Sequence, residues 1–404
     1  MKGFNKNSIL FFFALLFLAA GLWGESFAHL GEQMKAVCSG LGRGDIGSVF
    51  DFRTYANDTL SKQLRYHSTL VDVNSIRENL LGTRVIRKDS STVVKADSGS
   101  LMGVRRKIAI DDIREAAALI AGLKDAAEEN EAGFLYCAAP TKEQFETAPP
   151  NFTDNSRENF ADLLTCLTER DIPYIDLAET LRETDLSESE LFYRTDHHWK
   201  AYSGFVVTGA ICVELKDRYG FSYDAELTDI RNYNIKTYPH WFLGSLGKKT
   251  GTYFTRNGAD DFQLITPGFD TDMTEEQPAK KQVRQGGFED TVLYVKNLKR
   301  DLYGVNTYAT YSGGDFRLQI IRNNKNPGGK KILLVRDSYA CVVAPFLALQ
   351  AAELYVCDMR DLPNFVGEKL NMRELIESVK PDYVLVLYSG ISAVKSSSGK
   401  FDFF

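Results

Sequence analysis

The chain lacks several things, and each absence closes off a class of function. It has no run of five or more basic residues, and the formal net charge is -6, so the electrostatic footprint of a nucleic-acid binder is missing. Its six cysteines, Cys38, Cys137, Cys166, Cys212, Cys341 and Cys357, form neither a CxxC pair nor an even framework. That spacing excludes the usual local zinc site, and they read instead as small buried hydrophobes. The string KKTG at 248–251 lacks the preceding spaced glycines of a phosphate loop. Internal repeats and low-complexity segments are absent. Histidine is scarce, five in 404 residues, yet two stand side by side in FYRTDHHWKA, residues 192–201.

One hydrophobic run is long, Ile9 to Trp23, and Lys2 and Lys6 precede it. It falls short of the ~20 residues a spanning helix needs and fits the apolar centre of an export signal, with Ser26 and Ala28 as small residues at a cleavage site. An uncleaved signal-anchor is the alternative. Either way positive charge stays inside and the remainder crosses the membrane, which makes the protein extracytoplasmic, anchored to the envelope or secreted.

Further along, two stretches alternate strands with helices. Residues 111–128 are amphipathic at helical spacing, with Asp111 and Asp112 at the start. GFLYCAAP (133–140) is a buried strand stopped by proline, 155–171 a second helix, and IPYIDL (172–177) another strand. Near the C-terminus KKILLVR (330–336), ELYVCD (353–358) and DYVLVLYS (382–389) are strands, separated by helices at 344–352 and 371–380. Such β-α-β units form right-handed crossovers in a parallel sheet buried on both faces. Between them, residues 221–330 are rich in Tyr, Gly, Asn and Thr, with alternating pieces such as TYATYSG and DFRLQII. The expected organisation is a leader over 1–28, an N-terminal region over 29–110 packing on the core, one part of an α/β domain over 111–220, a β-rich insertion over 221–330, and the second part over 331–404.

Thr195 or Asp196 suits a helix cap, and a helical pattern follows, with Phe205, Val206, Gly209, Ala210 and Val213 on one face and Gly220 as its stop. In extended chain, residues two apart point the same way, so Asp196 and His198 face one pocket and His197 another. A carboxylate beside an imidazole fixes its tautomer and makes a general base. ILLVRDSYA (332–340) offers the base a partner: a strand ends, and Asp337, Ser338 and Tyr339 follow at the sheet edge where α/β proteins bind ligands. The expected triad is Ser338 as nucleophile, His198 as base and Asp196 as orienter. Cys341 has left that turn and is the weaker nucleophile. His197 is expected to be scaffolding. A metal held by His197, His198 and His240 is not expected, nor is the two-metal phosphoesterase that DHH also names, because YIDLAET supplies only one aspartate.

TDHHW with the distant RDSY, an upstream APTK (139–142) and a downstream CDMR (357–360) resembles the DHHW proteins and the related alginate O-acetyltransferases of the AlgX/AlgJ type, which are SGNH-hydrolase-like. The resemblance covers about residues 130–395. It implies a three-layer α/β sandwich with a parallel sheet and a permuted motif order, Asp and His before Ser. The family's serine falls on Ser338, its Asp and His on Asp196 and His198, and its Asp-x-Arg on Asp358 and Arg360. His197 departs from the alginate enzymes, which carry a small polar residue there. The resemblance implies acetyl transfer through an acyl-serine to a hydroxyl of an exported polysaccharide, with no cofactor and with an acyl-donor protein in the membrane as partner. A carbohydrate esterase using the same triad, and a glycan-binding or assembly protein without catalysis, remain alternatives. Candidate substrate or oxyanion groups are Arg360, Tyr339, and Gly244 and Ser245 of FLGSLGKKTG (242–251). Candidate sugar platforms are Trp241, Tyr238, Tyr253 and Tyr303.

Overall fold

The computed structural model describes residues 67–88, 91–391 and 394–404. The leader and Cys38 lie outside these residues. The chain divides into two units, 1–78 and 79–404; of the first, the described part is helix α1 (His67–Leu80) as far as Glu78. The rest runs in order as β1 (Val85–Lys88), β2 (Ser91–Lys95), β3 (Leu101–Met102), α2 (Ile110–Glu129), β4 (Gly133–Ala139), α3 (Ser156–Thr168), β5 (Tyr174–Asp176), α4 (Leu177–Arg182), α5 (Ala201–Tyr219), β6 (Tyr233–Phe242), α6 (Ser245–Thr250), β7 (Asp260–Pro267), β8 (Met273–Gln277), β9 (Gln282–Gly286), β10 (Leu318–Asn323), β11 (Lys331–Arg336), α7 (Ala344–Gln350), β12 (Glu353–Cys357), α8 (Met372–Val379) and β13 (Tyr383–Ser389).

The apolar runs form the middle of one eight-stranded sheet, in the order β5-β4-β13-β11-β12-β10-β8-β9. The first five strands are parallel. Period-two alternation divides their side chains between two cores. Leu135, Cys137, Leu334 and Leu385 face one core with α4, α5 and α7. Phe134, Tyr136, Val335 and Val386 face the other with α2, α3 and α8. This is the three-layer α/β sandwich read from the sequence.

Its sheet is mixed rather than wholly parallel. β10 pairs antiparallel with β12, β8 with β10 and β9 with β8. Three strands of the 221–330 segment thus extend the main sheet, while β6 and β7 pair separately. TYATYSG is a 3-10 turn over Thr307–Thr310, not a strand. Among the described residues no helix is long and apolar enough to cross a membrane.

Helix α5 differs from expectation at its start and in its inner face. Lys200 is its N-cap without a side-chain bond, because Thr195 and Asp196 are engaged elsewhere. The stop is as read, Gly220 at φ +68°. Phe205 is buried as read, but the rest of the inner stripe is Gly204, Val207, Thr208, Ile211, Cys212 and Leu215; Val206, Gly209 and Ala210 are only half-buried and Val213 is exposed. Gly204 sets that rotation: a Cβ there would lie 2.5 Å from the backbone oxygen of Val342, so the helix rests directly on the turn after β11. The crossover after β11 uses α7 on one face and the return to β13 uses α8 on the other. The topological switch point, where open α/β sheets bind ligands, is therefore the carboxyl end of β11.

Candidate active site

Ser338 stands at that switch point, as the first residue of a 3-10 turn over Ser338–Val342. Asp337 caps the turn, accepting from Tyr339 N through Oδ1 at 3.1 Å. Its Oδ2 accepts from Ser389 N, Ser389 Oγ and Lys400 Nζ, each at 2.8 Å. Burial alone would raise the Asp337 carboxyl, but the Lys400 ammonium and the Arg360 guanidinium outweigh it and hold Asp337 well below the usual carboxylate range.

The segment carrying Asp196 is a chain of bends closed by an antiparallel bridge between Phe192 and Trp199. It is not extended, so alternation does not apply. Asp196 Oδ1 accepts the His198 N–H at 3.0 Å, a local turn, and meets His198 Nδ1 at 2.5 Å. His198 Nε2 lies 2.7 Å from Ser338 Oγ. Segments 140 residues apart in sequence therefore bring Ser338, His198 and Asp196 into one hydrogen-bonded line. The His198 ring stacks on Tyr308 with centroids 4.1 Å apart. Burial would raise Asp196, but the imidazoles of His197 and His198 dominate and keep it well below the usual range, as the anion that orients a base must be.

Four anchors hold this loop. Trp199 Nε1 donates to Tyr339 O at 2.9 Å, and Tyr339 Oη to His197 O at 2.5 Å. Asp260 accepts from Thr195 N at 2.7 Å and from Thr195 Oγ1. Lys142, fully buried, donates to the carbonyls of Tyr193, Arg194 and Asp196 at 2.8, 3.1 and 2.6 Å. Finally, Gly244 and Gly247 form a platform beneath the loop. A Cβ on Gly244 would sit 2.2 Å from Asp196 Cβ, and one on Gly247 2.9 Å from Thr195 Cβ.

The oxyanion assignment of Gly244 and Ser245 is corrected by these contacts. Gly244 N donates to Thr195 Oγ1 at 2.9 Å and Ser245 N to Asp196 Oδ2 at 2.5 Å. Both N–H groups are spent on holding the loop, and Gly244 is needed for close approach. Tyr339 likewise ties the loop to the turn that carries Ser338: it is buried, with its N–H on Asp337 and its hydroxyl on His197 O. Arg360 lines the recess at Ser338 but is fixed by Asp358, with Nε 2.9 Å from Oδ1, and by Asp315 at 3.1 Å.

That recess holds about 290 Å³ and is lined by Ser338, Arg105, Gln144, Asn159, His197 and Arg360 among others. His197 therefore faces the same space as Ser338 and does not point away. Its ring centroid is 3.8 Å from that of His198, and its Nδ1 is 3.1 Å from Ser245 Oγ. Burial and the neighbouring imidazole push it down to about 4, so it is neutral near pH 7. Gln144 is 97% buried and its amide nitrogen has no partner among the described residues. Cys341 is buried outside the recess, and burial pushes its thiol up to about 12. None of Trp241, Tyr238, Tyr253 and Tyr303 lines the recess. A larger recess of about 440 Å³ lies against Tyr223, Phe269 and Asn323, and none of the three triad residues lines it.

Asp196, His197 and His198 each offer a ligand atom within 4.8 Å of the others, a spacing a metal ion can use; His240 is not in the group. As arranged, Asp196 Oδ1 and both His198 ring nitrogens are occupied by one another and by Ser338. Sequence reading missed Lys142 and Gln144. Both lie in APTKEQ (139–144), whose first four residues were the only signal for them.

The model of the SGNH hydrolase-like domain of the acetyltransferase AlgX matches residues 105–234, the segment carrying Asp196 and His198. No curated protein matches in sequence. Among solved structures, a DHHW family protein from Eubacterium siraeum is 18% identical, with a TM-score of 0.58 over 79% of this chain and 96% of that one. PatB1 of Bacillus cereus is 19% identical, with a TM-score of 0.62 over 78% of this chain and all of that one. PatB1 has also been solved with a sulfonyl adduct, in a structure with a TM-score of 0.61 to this chain at 19% identity over 79% of this chain and 98% of that one. The resemblance to DHHW and AlgX-type proteins is borne out, and the fold is shared with the DHHW family protein and PatB1.

Proposed function

We propose that the chain is a serine-dependent O-acetyltransferase that acetylates an exported polysaccharide through an acyl-serine. The observation that carries this reading is the 2.7 Å approach of His198 Nε2 to Ser338 Oγ, with Asp196 on the far ring nitrogen. His198 takes the Ser338 proton as Oγ bonds to the acyl carbon. It then returns the proton to the donor's leaving oxygen. In the second half a sugar hydroxyl gives its proton to His198, bonds to the acyl carbon, and Ser338 leaves with the proton restored.

Two donors are available for the developing oxyanion. The Ser338 N–H opens its 3-10 turn and has no partner within it, and the Gln144 amide is a buried group of the recess whose nitrogen has no partner among the described residues. The sulfonyl adduct on PatB1 supports the reading, since a sulfonyl group traps a nucleophile. Export is proposed from the apolar run at Ile9–Trp23. Acetyl-CoA is cytoplasmic, so the donor is proposed to be an acyl-carrying membrane protein.

The test is incubation of the purified protein with an activated acetyl ester, with and without oligosaccharide, following acetylated Ser338 and acetylated sugar by mass spectrometry. Acetyl-sugar that disappears in Ser338→Ala supports the transferase. Acetate alone identifies an esterase. Glycan binding without any acyl turnover identifies a binding protein.

A further inference from the structure

Away from the triad, β8 and β10 share a buried polar cluster with an unusual balance of donors and acceptors. Glu275 is 0% exposed and forms no ion pair among the described residues. Gln277 is 2% and Gln319 0% exposed. Glu275 and Gln277 flank Glu276 on β8, and Gln319 precedes Ile320, the partner of Glu276 on β10. All three side chains therefore share one face of the sheet.

Every proton in the cluster has a destination. Gln277 Nε2 donates to Glu275 Oε1 at 2.9 Å and to Tyr294 Oη. Tyr294 Oη donates to Glu275 Oε1 at 2.9 Å. Gln319 Nε2 donates to Glu275 Oε1 at 3.0 Å and to Ser312 O at 3.4 Å. Three buried oxygens are left without a partner among the described residues: Glu275 Oε2, Gln277 Oε1 and Gln319 Oε1. With Glu275 ionised, flipping either amide would turn an oxygen onto Glu275 Oε1.

A proton on Glu275 Oε2 would settle that atom and one amide oxygen, and a water alone would settle two, so only a protonated Glu275 together with a water, or a single cation, accounts for all three; the first predicts no response to the cation of the salt. Buried charges are paired or coordinate metals. We propose that Glu275, Gln277 and Gln319 form a binding site for a hard monovalent cation, sodium or potassium. The all-oxygen donor set selects a hard ion. One carboxylate balances one positive charge. The nearby Lys280, over the Phe316 ring at 4.2 Å, and Arg284, over the Tyr294 ring at 4.1 Å, disfavour a second. The site reaches the catalytic turn through Gln319 on Ser312 O and Ser312 Oγ on Cys341 O at 3.0 Å, and it stands whether or not the transferase reading does.

The test is thermal unfolding of the full chain in potassium, sodium, calcium or choline chloride at equal ionic strength. Wild type should melt about 4 °C higher in potassium or sodium than in choline. Glu275→Gln, which removes the charge and adds an N–H donor, should lose that response while staying folded. Equal midpoints in all the salts, an undiminished response in Glu275→Gln, or a response to calcium alone would each overturn the proposal. If Glu275→Gln does not fold, crystals of wild type grown in rubidium should show an anomalous peak beside Glu275 Oε2. A featureless map there would overturn the proposal equally.

Discussion

Lys142→Met asks what holds His198 in place. The Lys142 ammonium is fully buried and donates to three carbonyls of the loop that carries Asp196, at 2.6–3.1 Å. Hydrogen bonds from a charged donor contribute about 1.5–3 kcal/mol each, so the three sum to roughly 4–9 kcal/mol. Desolvating the ammonium offsets several kcal/mol of this, leaving a net loss of about 3 kcal/mol. Methionine nearly matches the volume but leaves three buried carbonyls without donors. The loop keeps its ties through Thr195, Trp199 and Tyr339, so it should shift rather than unfold. A displacement near 1 Å at a catalytic group costs about 10²-fold. The expected result is kcat for acyl-ester turnover lower by about 10²-fold with KM within about threefold of wild type. The measurement belongs at a temperature where circular dichroism shows both proteins folded. Lys142→Arg should rescue poorly, since a planar fork cannot reach three carbonyls around one point. A folded Lys142→Met with wild-type kcat would refute the claim that this lysine positions the dyad.

Other expectations follow from the same geometry. Ser338→Ala should lower acyl-ester turnover by at least about 10³-fold, and an aryl sulfonyl fluoride should label Ser338 in wild type only, as read by peptide mass spectrometry. Gly244→Ala should lower kcat about 10²-fold with helical content unchanged, because the new Cβ would displace Asp196. Wild-type activity in that variant would refute the platform. Lys400→Met should destabilise by about 3 kcal/mol at pH 7, since it removes the ammonium that pairs with buried Asp337 and leaves only Arg360 and the Tyr339 and Ser389 donors to hold its charge. In wild type the depressed Asp337 pKa gives stability that is present above the unfolded value near 4 and is lost as pH falls through the folded one. In the variant the Lys400 part of that depression is lost, so the folded value moves back toward the unfolded one and less stability is at stake on acidification. The difference measured by urea unfolding should therefore hold steady above about pH 5 and narrow as the pH falls below about 4, and a gap that stays constant in acid would contradict the pairing.

Much of the central sheet was legible because β4, β11, β12 and β13 are continuous apolar runs buried on both faces, with helices of clear period between them. Its antiparallel extension was not. β8 reads MTEEQ and its buried side chains include Thr274, Glu275 and Gln277, so hydrophobicity carries no trace of a central position. The face of α5 was misread because it is set by a missing side chain at Gly204, and periodicity counts only those present. At the site, Asp196, His198 and Ser338 were legible through spacing and a strand end. His197 was misplaced because the bends between the Phe192 and Trp199 bridge abolish alternation. Lys142 was passed over because an isolated lysine in a sequence is nearly always solvated, and only its tertiary surroundings show it buried.

The two halves of the dyad rest on unlike supports. Ser338 stands two residues beyond a strand laddered on both sides and sandwiched between two helical layers, while His198 rides on a short irregular span secured from below by side chains. An inheritable change in reach or tilt of the imidazole can therefore arise by swapping a few pegs under that span, without disturbing the scaffold that carries the hydroxyl. Such a molecule is built to diversify from the histidine side.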